Sequence, residues 1–298
     1  MKRKNKILII GGSGYVGSRL CEYFLNDVNF KIHNIDINKG KYPKITKKSN
    51  YNKLSSIYLN RFNFILILAA HSSTKQCAHD EIGAIKNNVT DLKELLIKIK
   101  FTKAIPIFIS TTAVYNSLNK IGSENLNLSN RNFLNLYDIS KRFIEIFILK
   151  NLKKFYILRL GTVSGKSPNQ NKNLIINKMY FDSINKKKIY TISENSKKSI
   201  LFINDLCESL KLIFLSKKKF YGIYNINSFN MTVGKIAKTI SKITGANIIK
   251  NKGISGYSFF SSNKKFDKKF NFKFTKNIET ILINLGLNKK NDNSRIHS

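Results

Sequence analysis

The chain has 298 residues, 53 Lys and Arg against 17 Asp and Glu for a formal charge of +36, and 42% hydrophobic residues. The length suits one large α/β domain or two closely joined ones, and the apolar content excludes wholesale disorder, while three scattered cysteines (Cys21, Cys77, Cys207) exclude a disulfide scaffold or cysteine zinc site. The positive charge is evenly spread Lys with only seven Arg, accompanied by abundant Asn and Ile as in A+T-rich coding drift; nucleic-acid interfaces favour the Arg fork, so nucleic acid is not an expected partner.

The opening MKRKNKILII has signal-peptide character for ten residues, but GGSGYVG follows where a cleavage site would stand, so it reads as a first strand. Strand-like apolar runs are Lys6–Ile10, Lys31–Asp36, Phe64–Ala70, Ile105–Ser110 and Phe155–Gly161, with amphipathic helices at Gly14–Leu25, Glu81–Lys98 and Phe133–Leu152 between them. Alternating strands and helices predict right-handed βαβ units and a parallel sheet. The Lys/Asn/Ser-rich stretch Asn38–Leu54 reads as an irregular loop. Later elements are a helix over Leu174–Asn185, a strand over Ile189–Ile192, a helix over Asn204–Leu215 and a strand over Tyr221–Ile226. Thr232 caps a helix ending at Gly245, and Asn277–Leu285 is a last helix before a polar tail. No apolar run reaches the ~18 residues of a membrane-spanning helix.

Gly11, Gly14 and Gly17 in GGSGYVG follow a strand and open a helix. A pyrophosphate must approach main-chain N–H groups at a helix N-terminus, and side chains would block it. Asp36, 19 residues beyond Gly17, ends the next strand. A carboxylate there accepts hydrogen bonds from an adenosine ribose and repels a 2′-phosphate, which favours NAD over NADP.

Tyr137 and Lys141 stand four apart on a predicted helix and so share a face. A neighbouring ammonium lowers a phenol's pKa toward the range where it acts as a base. The pair alone is a common accident in a Lys-rich chain. Its context is Ser110-Thr111-Thr112 at the carboxyl end of the strand IPIFIS, the end at which open parallel sheets bind ligands.

With GGSGYVG (11–17), Asp36, LAAHSS (68–73), NNV (87–89), STTAVYN (110–116), YDISK (137–141), LRLGTVSG (158–165), KSILFINDL (198–206) and GIYNIN (222–227) in this order, the chain resembles the extended short-chain dehydrogenases/reductases of the NAD-dependent sugar-nucleotide epimerase/dehydratase family. The resemblance implies an α/β fold, a Rossmann-type doubly wound parallel sheet with a smaller C-terminal substrate-binding lobe. Residues 1–165, completed by 199–228, would be the NAD-binding domain, and 166–198 with 229–298 the lobe. Tyr137 would be the catalytic base, Lys141 would bind the nicotinamide ribose and tune it, and Thr111 would hydrogen-bond the reacting hydroxyl. Gly11, Gly14 and Gly17 with the amides of Tyr15 and Val16 would hold the pyrophosphate. Leu68, Ala69 and Ala70 would line the cofactor cleft and Asn88 would steady it. Thr162, Asn173 or Asn177, and Lys198 would contact the substrate. A homodimer through Glu81–Lys98 and Phe133–Leu152 is implied, in the cytoplasm, with no metal and no membrane partner.

Four positions depart from the family pattern: Asn116 for Gly, Thr162 for Asn, Lys198 for Arg, and Asn52 as the nearest candidate for an Asp near the third strand. The implied reaction is 4-epimerisation of a UDP- or dTDP-linked hexose through a transient 4-keto sugar. Dehydration normally uses an Asp–Glu pair after the catalytic Thr, and Thr112 and Ala113 stand there. Reductases, decarboxylases and a non-catalytic NAD- or RNA-binding scaffold are the alternatives; Asp36 argues against the first and the full Thr111, Tyr137, Lys141 set against the last. His71 reads as a loop residue beside the cleft, and His33, His79 and His297 lack metal-ligand spacing. Phe259, Phe260, Phe266, Phe270, Phe272 and Phe274 read as packing of the C-terminal lobe.

Overall fold

Ile7, Leu8, Ile9 and Ile10 are all buried, as happens when helices cover both faces of a parallel sheet. The computed structural model describes residues 4–116, 118, 120–128, 135–253 and 256–287. Its strands are β1 (Asn5–Ile10), β2 (Phe30–Asp36), β3 (Thr46–Lys48), β4 (Phe64–Ile67), β5 (Ile105–Thr111), β6 (Tyr156–Leu160), β7 (Thr162–Ser164), β8 (Lys188–Thr191), β9 (Lys197–Phe202), β10 (Gly222–Ile226), β11 (Phe229–Thr232) and β12 (Asn247–Lys250). Seven of them form one sheet in the order β10-β6-β5-β4-β1-β2-β3, and every pairing in it is parallel. The alternation of elements predicted the parallel sheet, and the order is that of the Rossmann-type doubly wound sheet the family resemblance implied.

Period-two alternation sorts β1 between two cores. Ile7 and Ile9 join Leu20, Phe24, Leu206 and Leu210 on one face. Leu8 and Ile10 join Leu95, Leu96, Ile144 and Ile148 on the other. The strand order reverses between β1 and β4, and the crevice at their carboxyl ends is where such sheets take ligands.

A three-stranded sheet, β11-β9-β7, and the β12-β8 pair lie beside the large sheet. They share a core with the helices Ile175–Lys186, Val233–Thr244 and Ile278–Leu285. The Thr232 side chain accepts from the Lys235 amide, and Gly245 ends the helix at φ 68°, as the sequence predicts.

Several elements differ from expectation. The predicted helix over Glu81–Lys98 is three pieces: Glu81–Ile85, a π-helical turn Lys86–Asp91, and Leu92–Lys100. The inserted turn buries both Asn88 and Asp91, two polar side chains that side-chain periodicity places on no apolar stripe. The stretch read as a loop over Asn38–Leu54 carries β3 and a short 3-10 turn, Tyr51–Lys53. The Phe133–Leu152 helix runs over Leu136–Asn151, with Phe133 outside the described residues. Phe266, Phe270, Phe272 and Phe274 pack against the core of the large sheet, with Phe266 and Phe270 edge-on to Tyr224 of β10; they serve the sheet's edge rather than a separate C-terminal core. Among the described residues no helix is long and apolar enough to cross a membrane.

Candidate active site

The glycine loop turns from β1 into the helix Tyr15–Leu25, whose N-cap is Gly14. Gly11 has φ +93°, and a Cβ there would lie 2.5 Å from the Ala69 nitrogen. A Cβ on Gly17 would lie 2.2 Å from the Gly11 carbonyl oxygen. Both glycines are therefore required by the protein's own packing. Gly14 is different: a Cβ there would meet nothing closer than 3.6 Å, so the protein's own packing does not require a glycine at that position.

Two side chains from β2 hold the loop. Asn34 Oδ1 accepts from the Gly12 amide at 2.8 Å, and Asp36 Oδ2 from the Ser13 amide at 2.9 Å. The first-turn amides of Tyr15 and Val16 point out of the helix end, where no intrahelical acceptor exists for them. An anion there also meets the positive end of the helix dipole.

These residues open on a cleft of about 910 Å³ along the carboxyl ends of the large sheet. Gly11, Gly14, Tyr15, Val16, Gly17, Asp36, Leu68, Ala69 and Ala70 all line it. Asn88 does not. It is buried, accepts from the His71 amide at 2.8 Å and donates to the His71 carbonyl at 3.1 Å. It therefore fixes from behind the backbone that follows Ala70. His71 lines the cleft, with Nε2 3.1 Å from Asp80 Oδ2. Near the third strand, Ser49, Asn50 and Tyr51 line the cleft. Asn52, the sequence candidate for the family's acid, is not among the lining residues and instead turns toward Asp91, 3.4 Å off.

Thr111, Tyr137 and Lys141 converge at the middle of the cleft. Thr111 ends β5, and Tyr137 and Lys141 lie one turn apart on the helix Leu136–Asn151. The Thr111 hydroxyl faces the Tyr137 phenol and favours its ionised form. Lys141 Nζ lies 5.9 Å from the centre of the Tyr137 ring and donates to the Ile109 carbonyl at 2.8 Å. Burial lowers the Lys141 pKa to about 8. The lowering expected for Tyr137 is not produced by the protein's own groups. Desolvation first, then the Asp138 carboxylate, raise it above the ordinary phenol value, against a lesser lowering by Thr111.

A buried ion pair stands behind β5. Glu145 takes Arg159 Nε at 2.9 Å on one oxygen and Nη2 at 2.7 Å on the other, and Ser110 Oγ donates to it at 2.6 Å. Arg159 Nη1 also donates to the Tyr115 hydroxyl at 2.7 Å. These bonds tie β5, β6 and the Tyr137 helix together one residue from Thr111. The sequence signal for them was a charge inside an apolar run, Arg159 in YILRL and Glu145 in FIEIF.

At the far end, Thr162 and Lys198 line the cleft. Lys198 Nζ donates to the Tyr257 carbonyl, and burial lowers its pKa. Asn173 and Asn177 do not reach the cleft. Asn173 is exposed. Asn177 is buried and satisfied: its Oδ1 accepts from Ser164 Oγ at 3.0 Å, and its Nδ2 donates to the Asn171 carbonyl at 2.8 Å. The segment before that helix is what faces the cleft, through Asn169 and Asn171. Tyr257 and Phe259 also line it, and the sequence reading missed all four. A smaller hollow of about 240 Å³ shares Lys198 and is walled by Ile175, Met179, Tyr190, Ile192 and Val233. Among the described residues no cluster of His, Cys, Asp and Glu could hold a metal ion.

Comparison with known proteins agrees with this arrangement. Residues 7–227 match the NAD dependent epimerase/dehydratase family. A curated relative, dTDP-D-glucose 4,6-dehydratase of Dictyostelium discoideum, is 28% identical over 276 residues, which span 80% of this chain and 62% of that protein's length. The UDP-glucuronic acid 4-epimerase of Bacillus cereus, solved with UDP-glucuronic acid and NAD, superposes with a TM-score of 0.81 at 20% identity, over 94% of this chain and 97% of that one. An NAD-dependent NDP-hexosamine 5,6-dehydratase of tunicamycin biosynthesis superposes with a TM-score of 0.82 at 16% identity, over 95% and 97%. The chain belongs to the NAD-dependent epimerase/dehydratase family.

Proposed function

We propose that the protein is a nucleotide-sugar 4-epimerase that uses NAD, the cofactor of its family, without consuming it. The observation that carries the reading is the meeting of Thr111, Tyr137 and Lys141 in one cleft, beside strand-end positions 112 and 113 that hold Thr and Ala and no acid. The clear space at Gly14 and the carboxylate of Asp36 fit a dinucleotide.

In this reading Gly11, Gly14 and Gly17, with the Tyr15 and Val16 amides, hold the pyrophosphate. Asp36 accepts from the adenosine ribose. Leu68, Ala69 and Ala70 wall the site, and Asn88 steadies it through His71. Lys141 binds the nicotinamide ribose. Bound in this cleft, NAD would supply the acceptor and later the donor of hydride for the reacting sugar carbon. Thr111 orients the sugar 4-hydroxyl, and Tyr137 removes its proton and later returns it to the opposite epimer. Proximity supplies much of the rate, because the groups are fixed before the sugar arrives.

Residues 166–198 and 229–298 would form the substrate-binding lobe, with Thr162 and Lys198 toward the diphosphate and the hollow between Ile175, Tyr190 and Ile192 taking the base of UDP or dTDP. Lys198 offers a point charge where an Arg would offer a fork. The protein would work as a homodimer in the cytoplasm. Ile139, Phe143, Ile146 and Leu149 stand exposed along the Tyr137 helix, with Ile82 beside them, an apolar stripe suited to a second copy.

The test is incubation with UDP- and dTDP-hexoses and UDP-glucuronate, without reductant. Interconversion of 4-epimers with no net change in NAD is the expected result. Steady oxidation of NADPH by a keto sugar, with no sugar interconverted, would overturn the proposal, and release of a 4-keto-6-deoxy product would replace it with dehydration.

A further inference from the structure

Asp138 follows Tyr137 directly and is 2% exposed. It lies in the first turn of its helix, where the helix dipole favours a negative charge. Its Oδ2 accepts from the Tyr257 hydroxyl at 2.8 Å and from Asn135 Nδ2 at 3.0 Å. Its Oδ1 is buried without a hydrogen-bond partner. Tyr257 arrives from the far end of the chain and lines the cleft with Tyr137. A buried carboxylate with one oxygen unmatched is an expensive thing to keep beside a group that must itself ionise.

We propose that Asp138 is a positioning residue for charge, making ionisation of Tyr137 conditional on an opposing positive charge across the phenol. The proposal rests on the reading of Tyr137 as the base. An oxidised nicotinamide ring has such a charge and a reduced one does not. Tyr137 therefore holds its proton more tightly once that opposing charge is gone, which favours uptake of the sugar's proton over its return. The carboxylate thus favours the first half of the cycle, in which Tyr137 takes the proton, and holds the phenol protonated beside the keto sugar.

The groups facing Asp138 agree with this role. Tyr137 and Lys141 share its helix, Cys77 comes from the helix Thr74–His79, and Tyr257 from the C-terminal segment. Asp138 acts against ionisation of Tyr137, Cys77 and Tyr257 alike. Burial raises its own pKa, while the bonds from Tyr257 and then Asn135 hold it down.

The experiment follows Tyr137 directly in NAD-loaded protein labelled with ¹³C at the tyrosine ring carbon bearing oxygen, its resonance assigned with Tyr137→Phe. Asp138→Asn keeps an acceptor for Tyr257 and removes the charge. It is expected to lower the Tyr137 titration midpoint by about one pH unit or more, the effect of one near like charge. Tyr257→Phe, which leaves the carboxylate in place, is expected not to lower it. A midpoint in Asp138→Asn equal to or above the native one overturns the proposal, as does an equal lowering in Tyr257→Phe. The titration needs no sugar, so a protein that interconverts no hexose still decides the matter, and the two failures remain separate.

Discussion

Replacing Glu145 by Gln is the most direct way to ask what holds the catalytic strand in place. The side chain keeps its volume but loses its charge and one of its two carboxylate oxygens. Arg159, 1% exposed, would then be a buried guanidinium without a counter-ion. Both oxygens now accept from it, at 2.7 and 2.9 Å, and Arg142 adds a further bond at 3.1 Å. Breaking a buried pair by removing one partner costs about 3–5 kcal/mol, because the survivor keeps its desolvation penalty. That is a large part of the ~5–15 kcal/mol that separates native from unfolded domains. The melting temperature should fall by about 10 °C.

The assay is urea unfolding followed by circular dichroism, native and variant side by side across pH. Glu145 has a lowered pKa: burial raises it, but the Arg159 bonds outweigh that. A carboxylate lowered in the folded state contributes stability that is present above its unfolded pKa of ~4.3 and is lost as pH falls through the folded value. The gap between native and Glu145→Gln should therefore be full at pH 7 and close on acidification below about pH 4. A second variant separates charge from packing. Glu145→Leu with Arg159→Met replaces the pair by apolar groups and should recover most of the loss. A Glu145→Gln cost under ~1 kcal/mol, the size of a surface pair, would refute the reasoning, as would a gap independent of pH.

Three further outcomes follow from the site. Gly14→Ala should leave stability within ~0.5 kcal/mol of native and weaken NAD binding tenfold or more, whereas Gly17→Ala, with a Cβ 2.2 Å from a carbonyl oxygen, should lose ~2–3 kcal/mol by overpacking; urea unfolding and NAD titration distinguish them, and parallel losses in both variants count against the assignment. Lys141 is held at about 8 by burial, below the ~10.4 of an unfolded lysine, so the unfolded chain binds the extra proton between those values and native stability rises with pH there. Thermal melts of Lys141→Met should lack that rise, and a native–variant difference flat from pH 7 to ~10 is the contrary result. Phe143→Asp should convert a dimer to a monomer in light scattering, with NAD content kept; a native protein that is already monomeric removes the proposed interface.

The parts of this molecule most legible in the sequence are those where a ligand or a close approach leaves no choice of residue. Gly11 and Gly17 are required because any Cβ would strike main chain, and that requirement is written in the sequence as spacing. The buried strands were legible because burial on both faces demands unbroken apolar runs. What could not be read was direction. Asn177 and Asn171 are both polar letters near one helix start, yet one faces the protein and the other the cleft. Tyr257 reaches the site only because its segment folds back over 119 residues of separation to meet Asp138. The π-helical turn at Lys86–Asp91 was invisible for a related reason. One extra residue in a turn shifts the phase of every later side chain, and the letters alone do not say where the shift occurs.

The position of the second lobe's first segment bears on how tightly cofactor and substrate ends of the cleft depend on one another. Tyr15, the first residue of the glycine-loop helix, donates its hydroxyl proton to the Gly165 carbonyl at 2.8 Å, and Asn177 Nδ2 donates to that same oxygen of Tyr15 at 3.3 Å. Ser167 Oγ donates to the Tyr15 carbonyl at 2.6 Å, and Asn169 Nδ2 to the Ser13 carbonyl at 2.9 Å. The glycine loop is thus bonded to the same segment, residues 165–171, that presents Asn169 and Asn171 to the cleft. Hydrogen bonds of this kind are worth ~1 kcal/mol each when made and more when a buried partner is left unmatched. Moving the segment away from the loop would break three of them together. The glycine loop and the segment that presents Asn169 and Asn171 are therefore two surfaces of one hydrogen-bonded body, and a change at Asn177 acts on both through Tyr15.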